Sequence, residues 1–203
     1  MNTSKQHWDQ VFTTKSPQEV SWTQEYPTPS MDLIQGFNLP KSTAIIDIGG
    51  GDSLLVDTLL TKGYTNITVL DISKKALDRA QNRLGEKAKK VEWIVSDIND
   101  FKPTKKYDLW HDRAAFHFLT QKEDIVRYTK TVNGFVSKAL VIGTFSKEGP
   151  QKCSGLPITQ YSCGSLSENF EEQFNLLECR AEEHTTPFDT LQNFTFSQFL
   201  RKK

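Results

Sequence analysis

Residues 43–53, TAIIDIGGGDS, decide the fold of this chain. A continuous apolar, β-branched run stops at three glycines, Gly49, Gly50 and Gly51, and helical periodicity follows over residues 53–60. Strand, glycine turn and helix in this order open an α/β sheet, and ligands of such sheets bind at the carboxyl ends of the strands. Because glycine lacks a Cβ atom, the main chain can approach a ligand closely here. The segment therefore predicts both a sheet and a binding site at its edge.

The same pattern repeats along the chain. Four more segments have strand character, namely residues 66–72, 90–98, 107–112 and 138–145. Helical periodicity separates them over residues 73–85 and 121–132. Alternating strands and helices predict a doubly wound, mostly parallel sheet with helices on both faces.

The flanking segments differ from this core. Residues 1–40 are polar and contain Trp8, Val11 and Phe12 on one helical stripe, which predicts a helical cap. Glycines and prolines exclude a long regular element from residues 146–170, a predicted substrate-side loop. Two alternating segments within residues 171–203 predict an antiparallel strand pair at the sheet edge. With the cofactor-binding core at residues 41–145, we expect a single domain over residues 1–203.

Composition limits the classes of partner. Among 203 residues, 25 lysines and arginines balance 25 aspartates and glutamates, so no overall field steers the chain toward nucleic acid. No apolar run approaches the roughly 20 residues that span a bilayer, and the N-terminus does not resemble a signal peptide. We expect a cytoplasmic protein with no nucleic-acid or membrane partner.

The three cysteines, Cys153, Cys163 and Cys179, are widely spaced and form no CxxC pair. An odd number without a metal-binding spacing argues against a disulfide framework and against structural zinc. The prediction is three reduced, independent thiols. No compact set of histidine, cysteine and carboxylate ligands is present either, so we expect no metal.

Acidic residues around the glycine turn indicate the kind of ligand. Asp71 follows Gly51 by twenty positions, where a carboxylate at a strand end can accept hydrogen bonds from a ribose diol. Asp47 and Asp52 flank the glycines and would repel a pyrophosphate, whereas a dinucleotide fingerprint reads GxGxxG. A cationic ligand, such as a sulfonium with an ammonium group, suits this site.

These residues resemble the class I S-adenosylmethionine-dependent methyltransferases, whose first motif is similar to DIGGGDS and whose second acid is similar to Asp71. The resemblance implies a Rossmann-like methyltransferase fold of seven strands, with S-adenosyl-L-methionine as cofactor. It implies that Asp47 lies near the methionine ammonium, that Asp71 binds the ribose, and that SDINDF contributes to the adenine site. The implied cofactor-binding residues are Asp47, Gly49, Gly50, Gly51, Asp71, Ile72, Asp97 and Ile98. Gly50 departs from the family, which more often has a larger residue there.

The fourth strand runs into WHDRAAFHFL, and His111, Asp112 and Arg113 are the catalytic candidates. A histidine could serve as base, and the planar fork of Arg113 could pair with a carboxylate or phosphate. The alternative is that Asp112 only caps the following turn. Substrate-side candidates are Trp22, Tyr26, His117 and Tyr161, each of which could instead pack in the core. His184 is a further possible polar group with the same alternative.

The sequence leaves the identity of the methyl acceptor open. Residues 111–114 read HDRA, without the [DNS]PP[YFW] turn of nucleic-acid amino methyltransferases, and no paired glutamates indicate an arginine acceptor. A small molecule is the favoured acceptor, with oxygen, nitrogen and sulfur all possible; small carboxylic acids are one class that Arg113 would suit. The alternatives are a protein lysine or amine methyltransferase, an NAD-dependent oxidoreductase, and a non-catalytic module that binds S-adenosylmethionine.

Overall fold

A computed structural model of the chain describes residues 3–203. The N-terminal segment forms the helix α1, Thr3–Thr14, a 3-10 turn at Pro17–Glu19, and the helix α2, Thr28–Gly36. Pro29 at the start of α2 suits the first helical turn, where its missing N–H costs no hydrogen bond. These elements occupy the segment predicted as a helical cap.

Seven strands form one sheet. The parallel strands are β1, Ala44–Ile48; β2, Asn66–Asp71; β3, Val91–Val95; β4, Tyr107–Arg113; and β5, Val136–Phe145. Two long strands, numbered β8 and β9 in chain order, cover Phe174–Thr185 and Leu191–Arg201, and β9 pairs antiparallel with β5 and β8. The order is β3-β2-β1-β4-β5-β9-β8, which confirms the predicted sheet.

The connecting helices are α3, Leu55–Thr61; α4, Lys74–Leu84; and α5, Lys122–Phe135. Ser73 caps α4 by accepting a hydrogen bond from the N–H of Ala76 at 3.3 Å, which satisfies one of the free donors of the first turn. α3 begins at Leu55, two residues later than the sequence pattern indicated, because the glycine turn extends through Ser53.

Both faces of the sheet are covered. Ile45, Val69 and Val141 face one apolar cluster, which α2, α3 and α4 complete. Ile46 and Ile142 face the opposite cluster with side chains of α5. Burial on two sides therefore explains the nearly continuous apolar runs of the central strands.

The segment between β5 and β8 contains only short elements: a hairpin of β6, Lys152–Cys153, and β7, Leu156–Pro157, and the helix α6, Cys163–Ser167. Gly155 in the hairpin turn has φ +80°, a conformation that glycine adopts without strain. The expected absence of a long regular element is met in residues 146–170.

The expectation of three reduced cysteines is wrong in this structure. Cys163, the first residue of α6, and Cys179 on β8 form a disulfide, with Cα atoms 5.9 Å apart. Cys153 is free and buried. Sequence spacing did not reveal the pair because a turn in the chain at residues 168–173 returns β8 past α6, which only the tertiary structure decides.

Within residues 3–203, no helix is long and apolar enough to cross a membrane. In the same part of the chain, no group of three or more histidine, cysteine or acidic side chains is arranged to hold a metal ion.

Candidate functional site

A pocket of about 400 Å³ opens at the carboxyl ends of β1, β2 and β4. Its floor is the glycine turn, and one end is bounded by residues 96–99 after β3. The other end is enclosed by α1, the segment around Trp22, and the β6–β7 hairpin. The volume lies in the range of ligand pockets, and the position is the one at which open α/β sheets bind ligands.

Steric limits explain the glycines. A Cβ atom on Gly49 would lie 2.7 Å from the Cβ of Ala115, and one on Gly50 would lie 2.6 Å from Oδ2 of Asp47 and from Cγ1 of Val69. Gly49 and Gly51 also have positive φ angles of 64° and 50°. Gly50, the departure from the family pattern, is thus required by the packing of this turn.

Asp71 lies at the centre of the floor. Its Oδ1 accepts a hydrogen bond from the N–H of Ser73 at 2.7 Å, and the N–H of Gly51 also donates to the carboxylate. Burial raises the pKa of Asp71 to about 7, with smaller contributions from the charges of Asp47 and Asp52. The carboxylate lines the pocket, so it can accept hydrogen bonds from a bound diol.

The end of the pocket beyond β3 is formed by Ser96, Asp97, Ile98 and Asn99. Asp97 accepts a hydrogen bond from the N–H of Asn99 at 3.0 Å, which fixes the turn. Ile72 and Ile98 contribute apolar surface. This end therefore combines apolar side chains with polar groups, as small-molecule sites commonly do.

His111 and Asp47 form a buried pair. They are neighbours on the parallel strands β4 and β1, and Nδ1 of His111 lies 2.7 Å from Oδ1 of Asp47. Nε2 of His111 lies 2.8 Å from Oγ of Ser30 on α2. All three residues line the pocket, so a serine, a histidine and an aspartate are connected in series beside the ligand space.

Arg113, at the end of β4, is the only lysine or arginine among the lining residues that the structure describes. Its Nη1 donates to the main-chain oxygen of Trp22 at 2.9 Å, and its guanidinium lies 5.1 Å from the ring centre of Phe194. Burial lowers the pKa of Arg113 to about 10, which leaves the side chain cationic at neutral pH.

Asp112, a catalytic candidate, does not line the pocket. Its carboxylate accepts hydrogen bonds from the hydroxyl of Tyr128 at 2.7 Å and from the N–H groups of Ala115 and Phe116 at 2.9 and 3.0 Å. Burial raises its pKa to about 6. Side chains alternate along β4, so Asp112 faces away from the pocket that its neighbours face and holds the turn after the strand.

The substrate-side candidates separate in the same way. Trp22 lines the pocket, but Tyr26, His117 and Tyr161 do not. Tyr26 is 45% exposed, and Tyr161 packs on Phe116 with ring centres 5.3 Å apart.

His117 is fully buried, and its Nδ1 accepts a hydrogen bond from the N–H of Phe145 at 3.3 Å. Burial lowers the pKa of His117 to about 3, so it is neutral. His184 contacts the oxygen of Ser21 at 2.6 Å.

Several lining residues were not predicted as part of the site. These are Trp8 and Phe12 of α1 and Ser30 of α2, whereas Leu156 and Pro157 of the hairpin belong to the predicted substrate-side loop, residues 146–170. The apolar stripe of α1 was visible in the sequence and could have indicated a site wall. Ser30 gave no signal, because only the packing of α2 against β4 brings it to His111.

Residues 45–137 match a family model described as "Methyltransferase domain". The match covers β1 to the start of β5 and therefore includes the glycine turn, Asp71 and the His111–Arg113 segment. It agrees with the family resemblance of the sequence motifs.

Curated relatives are methyltransferases of different kinds. Malonyl-[acyl-carrier protein] O-methyltransferase 2 of Ilyobacter polytropus is 29% identical over 107 residues, which cover 51% of this chain and 40% of that protein. EEF1A lysine methyltransferase 2 of Mus musculus is 24% identical over 196 residues, which cover 82% of this chain and 79% of that protein. The chain thus spans less than half the length of the first relative and most of the second.

Solved structures share the fold. The N-methyltransferase NodS of Bradyrhizobium japonicum, solved in complex with S-adenosyl-L-homocysteine, matches with a TM-score of 0.72 at 13% identity and covers all of both chains. At this identity the likeness concerns the fold, and it confirms the expected arrangement of the sheet and its antiparallel strands.

Proposed function

We propose that this class I methyltransferase domain uses S-adenosyl-L-methionine to methylate a small molecule bound in the pocket. Asp71 would hold the ribose, Asp47 would lie near the ammonium group, and residues 97 and 98 would contact the adenine. The fit rests on the glycine turn, where added Cβ atoms would fill the floor, and on the carboxylates that suit a cation. The proposal includes one domain over residues 1–203, a cytoplasmic location, and no nucleic-acid or membrane partner.

The enclosure of the acceptor end is the observation that carries the small-molecule proposal. Trp8 of α1, Trp22, and Leu156 of the hairpin surround that end, and Phe12 of α1 lies over Gly51 of the glycine turn. Trp8 and Trp22 are in edge-on contact, with ring centres 5.8 Å apart, so two separate segments meet over the pocket. A site closed by aromatic rings from several segments favours a ligand that it can surround.

The chemistry needs alignment more than acid or base. When it is bound, a sulfonium would supply both the methyl group and a good leaving group. The protein must place the acceptor atom in line with the bond that breaks, and it must exclude water. The aromatic rings of Trp8 and Trp22 would exclude water, and Arg113 at the end of β4 would help to position the acceptor. For an acceptor that loses a proton, Nε2 of His111 can receive it through the hydroxyl of Ser30.

A lysine acceptor is the second candidate because the mouse lysine methyltransferase aligns with 82% of this chain. A lysine side chain would have to pass between α1 and the hairpin. A small-molecule acceptor would be methylated in the small-molecule fraction of a cell extract, and a lysine acceptor would be methylated in the protein fraction.

A methyl donor labelled with deuterium distinguishes the small-molecule acceptor from the lysine acceptor. The purified protein is incubated with S-adenosyl-L-methionine carrying a labelled methyl group and with an extract divided by ultrafiltration into small molecules and proteins. Label in the small-molecule fraction, abolished in the Asp71→Ala variant, supports the proposal. Label only in lysine residues of the protein fraction overturns it, and label in neither fraction removes the catalytic assignment in favour of a binding module.

A further inference from the structure

Two nitrogen atoms of Arg113 have no hydrogen-bond partner. Nε and Nη2 are shielded from solvent, and neither finds an acceptor among the residues that the structure describes. Unpaired donors on a buried cation cost folding free energy, because water no longer solvates them. A protein retains such a cost most readily where a ligand supplies the missing acceptors.

The unpaired atoms are on one edge of the guanidinium. Its planar covalent geometry makes the Nε–H bond parallel to one Nη2–H bond, the arrangement that pairs with both oxygens of a carboxylate. Nη1, on the other side, is held by the oxygen of Trp22. The ring of Phe194 supports one face of the group. The side chain is therefore fixed in place with one edge unused.

The charge of Arg113 is also unpaired. Within residues 3–203, no carboxylate forms an ion pair or a hydrogen bond with its Nε or Nη2 atom. Asp47, the nearest acid that affects its pKa, is hydrogen-bonded to His111. His117 is neutral, and Cys153 has a pKa raised to about 11 by burial, so neither provides a counter-ion.

We propose that the Nε–Nη2 edge of Arg113 binds a carboxylate group of the methyl acceptor. The inference rests on the proposed function, since it assigns a chemical class to the small molecule. Arg113 lines the pocket beside Trp22 and Cys153, and because Nε and Nη2 are themselves shielded from solvent, a carboxylate at the acceptor end reaches them by displacing the side chains that cover this edge. One uncompensated positive charge matches a monoanion, whereas a phosphate dianion would leave a negative charge buried in apolar surroundings.

Nitrogen-15 spectra of the arginine side chains test the proposal on the whole protein loaded with S-adenosylhomocysteine. The Nε–H resonance of Arg113 is assigned by its loss in R113K, and the protein is titrated with two monocarboxylates, benzoate and acetate, each beside its amide. Benzoate or acetate should shift this resonance to saturation, and the amides should not. In R113K the carboxylate affinity, measured by calorimetry, should fall by about tenfold or more, because lysine lacks the bidentate fork.

Arg201→Lys is the matched control. Arg201 also lies over a phenylalanine ring and donates to main-chain oxygens, but it does not line the pocket. The control variant should keep the carboxylate affinity. An unmoved Arg113 resonance, an equal response to amides, a preference for inorganic phosphate, or equal losses in R113K and R201K would each overturn the carboxylate site.

Failure of this inference can be distinguished from failure of the proposed function. Methylation of neutral small molecules without carboxylate binding would remove the role of Arg113 and leave the small-molecule acceptor intact. Labelling of protein lysines alone would remove both. Binding of S-adenosylhomocysteine, measured in every variant, should stay within about threefold of wild type, because Arg113 is assigned to the acceptor.

Discussion

Oδ1 of Asp47 lies 2.7 Å from Nδ1 of His111, across two neighbouring parallel strands. A carboxylate oxygen accepts hydrogen bonds, so this contact is a hydrogen bond in which a protonated Nδ1 of His111 donates. In the tautomer protonated only at Nδ1, Nε2 offers its lone pair to the hydroxyl of Ser30, 2.8 Å away. Asp47 thereby orients a candidate base on β4 in addition to lining the pocket.

Replacing His111 by Asn removes this candidate base. With the acceptor identified by labelling, we expect kcat to fall by about a hundredfold, the usual contribution of general-base catalysis. Affinity for S-adenosylhomocysteine should change by less than about threefold. Ser30→Ala should reduce kcat in the same direction, since Nε2 loses its partner. Parallel loss of rate and of cofactor affinity would instead assign His111 to the cofactor.

Asp71→Asn tests the ribose assignment. Loss of charge-assisted hydrogen bonds should weaken S-adenosylhomocysteine binding by about 2 kcal/mol, or roughly thirtyfold in Kd. Thermal stability at pH 8 should not fall, because burial penalises the ionised carboxylate that the variant removes. Asp78→Asn, an exposed change on α4, serves as the control for calorimetry. Unchanged affinity in Asp71→Asn contradicts the assignment.

The pKa of Asp71, raised by burial to about 7, predicts a pH dependence of binding. Ribose hydroxyls donate to the ionised form, so the Kd for S-adenosylhomocysteine should rise as pH falls below 7, by up to about tenfold per pH unit. The same shift affects folding. The carboxyl keeps its proton to higher pH in the folded than in the unfolded state, so the free energy of unfolding declines as pH rises from 3.8 toward 7. Calorimetry should show a smaller difference in Kd between pH 6 and pH 8 for Asp71→Asn than for the wild type.

The Cys163–Cys179 disulfide should stabilise the substrate-side segment against β8. A loop of 16 residues predicts a loss of about 3 kcal/mol in the free energy of unfolding when Cys163→Ser removes the bond. Urea denaturation measures the loss, and Cys153→Ser, which leaves the bond intact, is the control. Alkylation without reductant should modify only Cys153 in the unfolded wild type; modification of all three cysteines would show that the bond is absent.

The order of elements was predictable because its signals are local. Periodicity changes within a few residues from strand to helix, and the TAIIDIGGGDS turn carries its own steric requirements. The first acid, the glycines and Asp71 follow strand ends, and parallel strands bring those ends to one edge of the sheet. Their shared position in the pocket was therefore inferred without coordinates.

The acceptor end required the tertiary structure. Arg113 and Asp112 are adjacent in sequence and equally suited to catalysis by residue type, yet strand alternation directs one to the pocket and the other to Tyr128. Ser30, Trp22 and the hairpin reach the site through contacts between distant segments. The sequence by itself determined the fold and the glycine-turn end of the pocket, because both depend on short-range patterns. Only packing of separated segments decided which side chains meet at the acceptor end, since such contacts leave no periodic signal.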